Sequence, residues 1–284
     1  MNDNASTVTG RRIPRMILNI ILILFVTWLL WLVLILLFQE TFIFPRFIAN
    51  RDTPIAAPDA VEVLRRPLGG EEHVEAWYLP PLNTTEPAPL LVIAHGNGEI
   101  IDDWFDFAYR QSQRGYAVLL PEYRGYGRSG GSPGQDVLVE DAGGFLASVL
   151  DRPEVDADRV GFIGMSIGTG VLSQLALEHE PDAIVMIVPP ARIDTFLWRF
   201  GAPPLLMRHP FRTDLAVQQM DVPILICSNL QDHIIPKGDG RTLHELAPNS
   251  TYLEFRGDHN VLADEAETRR RREAIDSFLD SHLH

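Results

Sequence analysis

Three residue types, in a telling order, stand out in this chain of 284 residues: Ser166, Asp232 and His259. Ser166 sits in Gly164-Met-Ser-Ile-Gly168, between the apolar lead-in Gly161-Phe-Ile and the apolar run Val171-Leu-Ser-Gln-Leu-Ala-Leu. A serine hydroxyl is a weak nucleophile until a base within hydrogen-bond reach takes its proton. A histidine does this near neutral pH when a carboxylate fixes its tautomer and stabilises the imidazolium. Asp232 follows Pro223-Ile-Leu-Ile-Cys-Ser-Asn-Leu-Gln, and His259 follows Tyr252-Leu-Glu-Phe-Arg-Gly-Asp. The chemistry to which these three residues point is nucleophilic acyl transfer.

Such groups must be held by a scaffold, and the chain alternates in a way that supplies one. Apolar strand-like runs are expected at Leu90–His95, Tyr116–Leu120, Arg159–Ile163, Ala183–Val188, Val222–Ser228 and Thr251–Phe255. Helical patterns are expected at Ile100–Gln113, Val137–Leu150, Ile167–Leu177, Gly238–Leu246 and Ala263–Leu279. Continuous apolar strands alternating with helices predict an α/β domain with a mainly parallel sheet covered on both faces. Val61–Arg66 and His73–Leu79, split by Gly69-Gly70, read as a leading hairpin. Ligand sites in parallel sheets gather at the carboxyl ends of strands, where Ser166, Asp232 and His259 all fall. A serine there, on a sharp strand-to-helix turn, needs small neighbours, because a Cβ beside it would collide with the adjacent strand or helix.

A tetrahedral oxyanion needs two donors. One is the backbone N–H of Ile167, the residue after the nucleophile, and the other is expected from His95-Gly-Asn-Gly98, most directly the Asn97 N–H. The other histidines (His73, His95, His179, His209, His233, His244, His282 and His284) lie in helices, early strands, loops or the chain end, or belong to a different motif. Asp258 is the rival acid, but a residue adjacent to the base points away from it. Gly125-Tyr-Gly-Arg-Ser-Gly130 spells a dinucleotide fingerprint, yet no helix follows to hold a pyrophosphate. Arg269–Arg272, flanked by Glu265, Glu267 and Glu273, reads as a salt-bridged helix face.

The N-terminal part is of another kind. Met16–Phe38 runs 23 residues without a charge, roughly 34 Å as a helix against a hydrocarbon core of ~30 Å. It is longer than a signal-peptide core and no small-x-small site follows, so an uncleaved membrane anchor is expected. Arg11, Arg12 and Arg15 precede the span and Arg46 and Arg51 follow it, which places the N-terminus in the cytoplasm and the folded domain outside it, periplasmic or otherwise extracytoplasmic. The expected organisation is a tail at 1–15, a transmembrane helix at 16–38, a linker at 39–59 and the α/β domain at 60–284. The whole chain carries a net charge of −14; residues 1–45 hold Arg11, Arg12 and Arg15 against Asp3 and Glu40, which leaves −15 on the rest. A domain that acidic is a poor partner for nucleic acid. Cys227 stands alone, which excludes an internal disulfide and a thiolate metal cluster. Pro189–Met220, rich in Phe, Trp, Leu, Pro and Arg, is expected either as a lid above the serine or as packing at the sheet edge.

The HGNG turn, Pro121-Glu-Tyr-Arg-Gly-Tyr-Gly-Arg-Ser, the Ser166 elbow, Gln231-Asp-His-Ile-Ile-Pro and Gly257-Asp-His-Asn, taken in this order, resemble the α/β-hydrolase superfamily over about residues 60–280. Within it the chain looks like membrane-anchored α/β-hydrolase-domain serine hydrolases with a small or absent cap. The resemblance implies a Ser166–Asp232–His259 triad that hydrolyses an ester, thioester or amide of a small acyl substrate, without metal or cofactor. Two other readings remain open at this point: a peptidase or amidase on the same scaffold, and a binding module of this fold without catalysis.

Overall fold

The computed structural model describes residues 14–50 and 56–284 of the chain. Arg11, Arg12 and Arg51, three of the arginines that flank the apolar run, lie outside the described residues. The chain divides into two compact units, Met1–Gln39 and Glu40–His284. Helix α1, Arg15–Ile43, takes in the whole apolar run, and it is long and apolar enough to cross a membrane. Leu is its commonest residue, and Gly and Pro, the poorest helix formers, are absent.

Among the described residues, the larger unit is built on one sheet of eight strands. In chain order these are β1 (Glu62–Gly69), β2 (Glu72–Leu79), β3 (Ala88–Ala94), β4 (Ala117–Pro121), β5 (Val155–Met165), β6 (Ala183–Ile187), β7 (Ile224–Asn229) and β8 (Ser250–Phe255). They lie side by side as β1-β2-β4-β3-β5-β6-β7-β8. Strand β2 is antiparallel to both its neighbours, and every pairing from β4 to β8 is parallel. The hairpin at Gly69-Gly70 forms as expected, with both glycines at positive φ.

Two apolar layers follow from the period-two alternation of the strands. Leu90, Val92, Phe162, Ile184, Met186 and Ile226 face one side, with α4 (Gln135–Leu150) and α5 (Ile167–Ala176). Leu91, Ile93, Ile163, Val185, Leu225 and Cys227 face the other, packed against α3 (Phe105–Gln113) and α8 (Glu265–Leu283). Helix α7 (Asp239–Leu246) sends Leu243 into the first layer. Doubly covered strands explain why these runs carry no polar alternation.

Three local differences from the sequence reading have physical causes. The run from Ile101 begins as a 3-10 turn through Trp104 before α3 starts, because the Asp103 carboxylate accepts the Ile100 N–H and tightens the first turn. Residues 40–50, read as linker, are packed within the larger unit. Phe44 is buried beside Phe211 and His209, in the core that also holds Ile43 and Ala49. A short helix α2, Arg46–Ala49, lies in this stretch. In the Arg269–Arg272 run, Arg270 pairs with Glu267 on the surface, but Arg271 is half-buried, and burial lowers its pKa.

Residues 188–220 form no separate cap domain. They fold as 3-10 turns at Asp194–Phe200, Pro204–Leu206 and Val217–Gln219, with a short helix α6 at Thr213–Ala216.

Candidate active site

Strand β5 ends at Met165 and α5 begins at Ile167, so Ser166 alone makes the turn between them. Its backbone sits at φ 51° and ψ −120°, a region L-residues avoid. The turn is held by the Ser166 N–H donating to Ile187 O at 2.9 Å and by Thr169 N–H and Oγ1 donating to Ser166 O at 3.0 and 2.6 Å. A Cβ at Gly164 would lie 2.7 Å from the Thr169 backbone, and one at Gly168 would lie 2.2 Å from Ala94 O. Both glycines of the motif are therefore demanded by close backbone approach.

The carboxyl ends of β7 and β8 bring the other two residues in. The Leu230 N–H donates to Phe255 O, the Gln231 N–H to Gly257 O, and the Gly257 N–H to Gln231 Oε1, which zips the two loops together. Asn229 Nδ2 adds a 2.6 Å bond to Asp258 O. The outcome is a chain of contacts: His259 Nε2 lies 3.1 Å from Ser166 Oγ, and His259 Nδ1 lies 2.7 Å from Asp232 Oδ2. All three side chains are buried. Asp232 Oδ1 is separately engaged, accepting the Ile234 and Ile235 N–H groups at 2.8 and 2.9 Å. Burial alone would raise the Asp232 pKa, but the hydrogen bond from His259 and those from the two backbone amides hold it below the ordinary value. The rival, Asp258, turns away from the His259 ring: its carboxylate meets His233 Nδ1 and the His259 N–H.

The HGNG turn faces the serine, since a Cβ built on Gly96 would stand 3.7 Å from Ser166 Cβ. Its shape is set from several sides. The Gly96 N–H donates to Glu99 Oε2, the Asn97 carbonyl accepts from Tyr126 Oη, and Asn97 Nδ2 donates to Ile43 O at 3.1 Å. The Asn97 and Ile167 N–H groups have no acceptor among the described residues, so both are free to receive a developing negative charge.

Sequence reasoning missed what lies beneath this turn. His95 is fully buried, with Nε2 2.7 Å from Glu122 Oε1 and Nδ1 2.8 Å from Gly96 O. Glu122 also accepts the Tyr123 and Ile101 N–H groups, and Tyr123 Oη donates to His95 O. Each ring nitrogen thus faces an oxygen, the arrangement that a doubly protonated ring paired with the carboxylate satisfies. Burial opposes that charge, yet Glu122 and the Gly96 carbonyl together raise the His95 pKa above its ordinary value. The signal was present as the His of HGNG and the Glu of Pro121-Glu-Tyr, but 26 intervening residues hid the pairing.

The Gly125–Gly130 stretch is a closed turn, with the Gly125 N–H on Gly130 O, and it does not open a helix.

Residues 85–209 match the family described as serine aminopeptidase, S33. The α/β-hydrolase domain-containing protein WAV2 of Arabidopsis thaliana is 26% identical over 161 residues, covering 49% of this chain and 52% of that protein. The chain thus spans about half the length of that relative. An uncharacterized membrane protein of Saccharomyces cerevisiae, YNL320W, is 26% identical over 243 residues, covering 78% of this chain and 83% of its own. Among solved structures, the acylaminoacyl peptidase of Pyrococcus horikoshii superposes with a TM-score of 0.62 at 17% identity, over 78% of this chain and 41% of that one.

Proposed function

We propose that this chain, which has the α/β-hydrolase fold and matches a serine aminopeptidase family over residues 85–209, is a serine hydrolase that cleaves carboxylic ester or thioester bonds through an acyl-enzyme on Ser166, anchored to a membrane by residues 16–38. The observation that carries the reading is the relay Ser166 Oγ–His259 Nε2–Asp232, at 3.1 and 2.7 Å.

In this mechanism Ser166 Oγ attacks the acyl carbon while His259 Nε2 takes its proton. Asp232 holds the Nδ1 proton in place and stabilises the imidazolium. The carbonyl oxygen becomes an oxyanion that accepts from the Asn97 and Ile167 N–H groups. As the tetrahedral intermediate collapses, the bond to the leaving group breaks and His259 returns its proton to the departing oxygen or sulfur. Water then attacks the acyl-enzyme with His259 as base, and a second collapse frees the acid and restores the serine. Each step balances with no group beyond the substrate, water and this chain.

The substrate proposed is a small acyl compound of lipophilic character. Support comes from the exposed side chains of Trp198, Phe200 and Leu205, in the segment that follows residues 188–193 and so the β6 end that accepts the Ser166 N–H. A peptidase or aminopeptidase reading has its own support in the family description that matches residues 85–209.

A fluorophosphonate probe should label wild type and not Ser166→Ala. Equal labelling of both, or of neither, would overturn the acyl-enzyme. p-Nitrophenyl esters of increasing chain length, run beside aminoacyl nitroanilides, separate the two substrate readings by kcat/KM. The proposed arrangement of a cytoplasmic N-terminus and an extracytoplasmic domain is tested by protease access to the domain in intact cells.

A further inference from the structure

We propose that the rim of the site is a lipid-docking face that meets the bilayer in which the chain is anchored, so that the acyl substrate enters from the lipid phase. The proposal rests on the membrane-anchored reading above and adds to it where the domain faces and where substrate comes from.

Two separate segments carry the face, and each is tied to a different part of the catalytic apparatus. Residues 40–50 are joined to the oxyanion turn by the Asn97 Nδ2 bond to Ile43 O, and to the next loop by Asn50 bonds to Gly125 O and from the Gly127 N–H. Residues 194–206 are joined to the acid loop, where Arg199 donates to the carbonyl of Ile234, whose own N–H bonds Asp232. The segments meet at Phe42 and Phe200, with ring centroids 6.4 Å apart. Around that meeting point large apolar side chains stand out to solvent: Leu205 is 84% exposed, Phe42 71%, Trp198 64% and Phe200 49%. Ile234 on the acid loop, whose carbonyl accepts from Arg199, and Val261, two residues after the base, are exposed as well, 39% and 68%. Exposed apolar groups of this size, gathered where two segments meet, mark an interaction surface.

Chain connectivity and charge identify the occupant. Phe42 follows Phe38, the last residue of the apolar run, by four positions, about 6 Å of helix. A face that begins so few residues after a membrane span is within reach of the headgroups. The basic side chains exposed here are Arg46, Arg199 and Arg208, the last paired with Glu40 at 3.3 Å, on a domain whose net charge is strongly negative. Aromatic and aliphatic side chains bordered by arginines match the acyl boundary and anionic headgroups of a bilayer. The same surface on a free-standing protein would promote self-association.

The test uses the full chain. Cys227 is the only cysteine and is buried, so a single surface cysteine is labelled selectively. Leu205→Cys, Leu24→Cys in the span and Thr84→Cys on an exposed loop leading into the amino end of β3 each receive an environment-sensitive fluorophore. The proteins are reconstituted in phosphatidylcholine–phosphatidylglycerol vesicles with spin-labelled lipid as quencher. The label at 205 is expected to lose roughly half or more of its emission, as for a group ~5–10 Å into the headgroup–acyl boundary, while the label at 84 is unaffected. Quenching at 24 but not at 205 overturns the docking face and leaves the anchor standing. No quenching at either overturns both. A blue shift at 205 without lipid quenching means that protein covers the face, either a second copy or a partner, and also overturns the proposal. Fluorophosphonate labelling of the same preparations reports separately on the hydrolase reading.

Discussion

Replacing Asp232 with asparagine is the sharpest test of the relay. The carboxylate is used on both oxygens: Oδ2 faces His259 Nδ1 at 2.7 Å, while Oδ1 accepts the Ile234 and Ile235 N–H groups at 2.8 and 2.9 Å. An asparagine has one acceptor to share between these sides. If its oxygen stays with the backbone amides, its NH2 faces Nδ1. The ring then takes the tautomer with the proton on Nε2, which donates toward Ser166 Oγ and cannot accept its proton. If the amide flips, its NH2 meets two backbone donors and the acid loop loses its anchor. Either way the base is disabled, and kcat for a p-nitrophenyl ester should fall by about 10⁴, as in other triads so altered, or about 5.5 kcal/mol of barrier. Asp258→Asn is the matched control, because that carboxylate engages His233 and the His259 N–H but not the ring, and its loss should be under ~10-fold. Initial rates with active-site titration, beside thermal unfolding of each variant, provide the readout. If Asp232→Asn is folded and retains more than a tenth of wild-type kcat, or if Asp258→Asn is the more damaging change, the assignment of the acid is wrong.

Other outcomes follow from the same structure. Gly168→Ala drives a methyl to within 2.2 Å of Ala94 O, so the elbow and the HGNG turn must separate; stability should drop by about 1–3 kcal/mol, read in urea, with kcat falling further than stability explains. His95→Ala strands Glu122 without its cation in a buried site, and a loss of about 3–5 kcal/mol is expected by urea titration at neutral pH. The pH dependence has a definite sign. His95 has a raised pKa in the fold, so its contribution is complete below the unfolded value near ~6.5 and fades as pH rises through the raised one. Asp232 has a lowered pKa, so its contribution holds above about 3.9 and fades as pH falls through the lowered one. Stability curves against pH for wild type and His95→Gln should therefore differ on the alkaline side; parallel curves there would count against an ionised His95. Leu279→Ala removes a fully buried side chain of α8 from the second layer and should cost about 2–5 kcal/mol in denaturant, with the relay geometry, and so kcat, unaffected.

What the sequence determined by itself is whatever depends on neighbours along the chain. The doubly covered strands, the helices between them and the glycines around Ser166 were legible because burial imposes a period of two or 3.6 and a tight turn imposes small residues. The apolar run at 16–38 was legible for the same reason, composition over a length matched to a bilayer. Tertiary structure decided the rest. The distances that join Ser166 to His259 and His259 to Asp232 exist only because parallel register carries the ends of β5, β7 and β8 to one edge. The His95–Glu122 ion pair beneath the HGNG turn, the inward turn of Arg271 and the packing of residues 40–50 against that turn were invisible in one dimension. Charge pairing, burial and hydrogen bonding are settled by proximity in space, and nothing in the order of residues reports that proximity until the sheet is assembled.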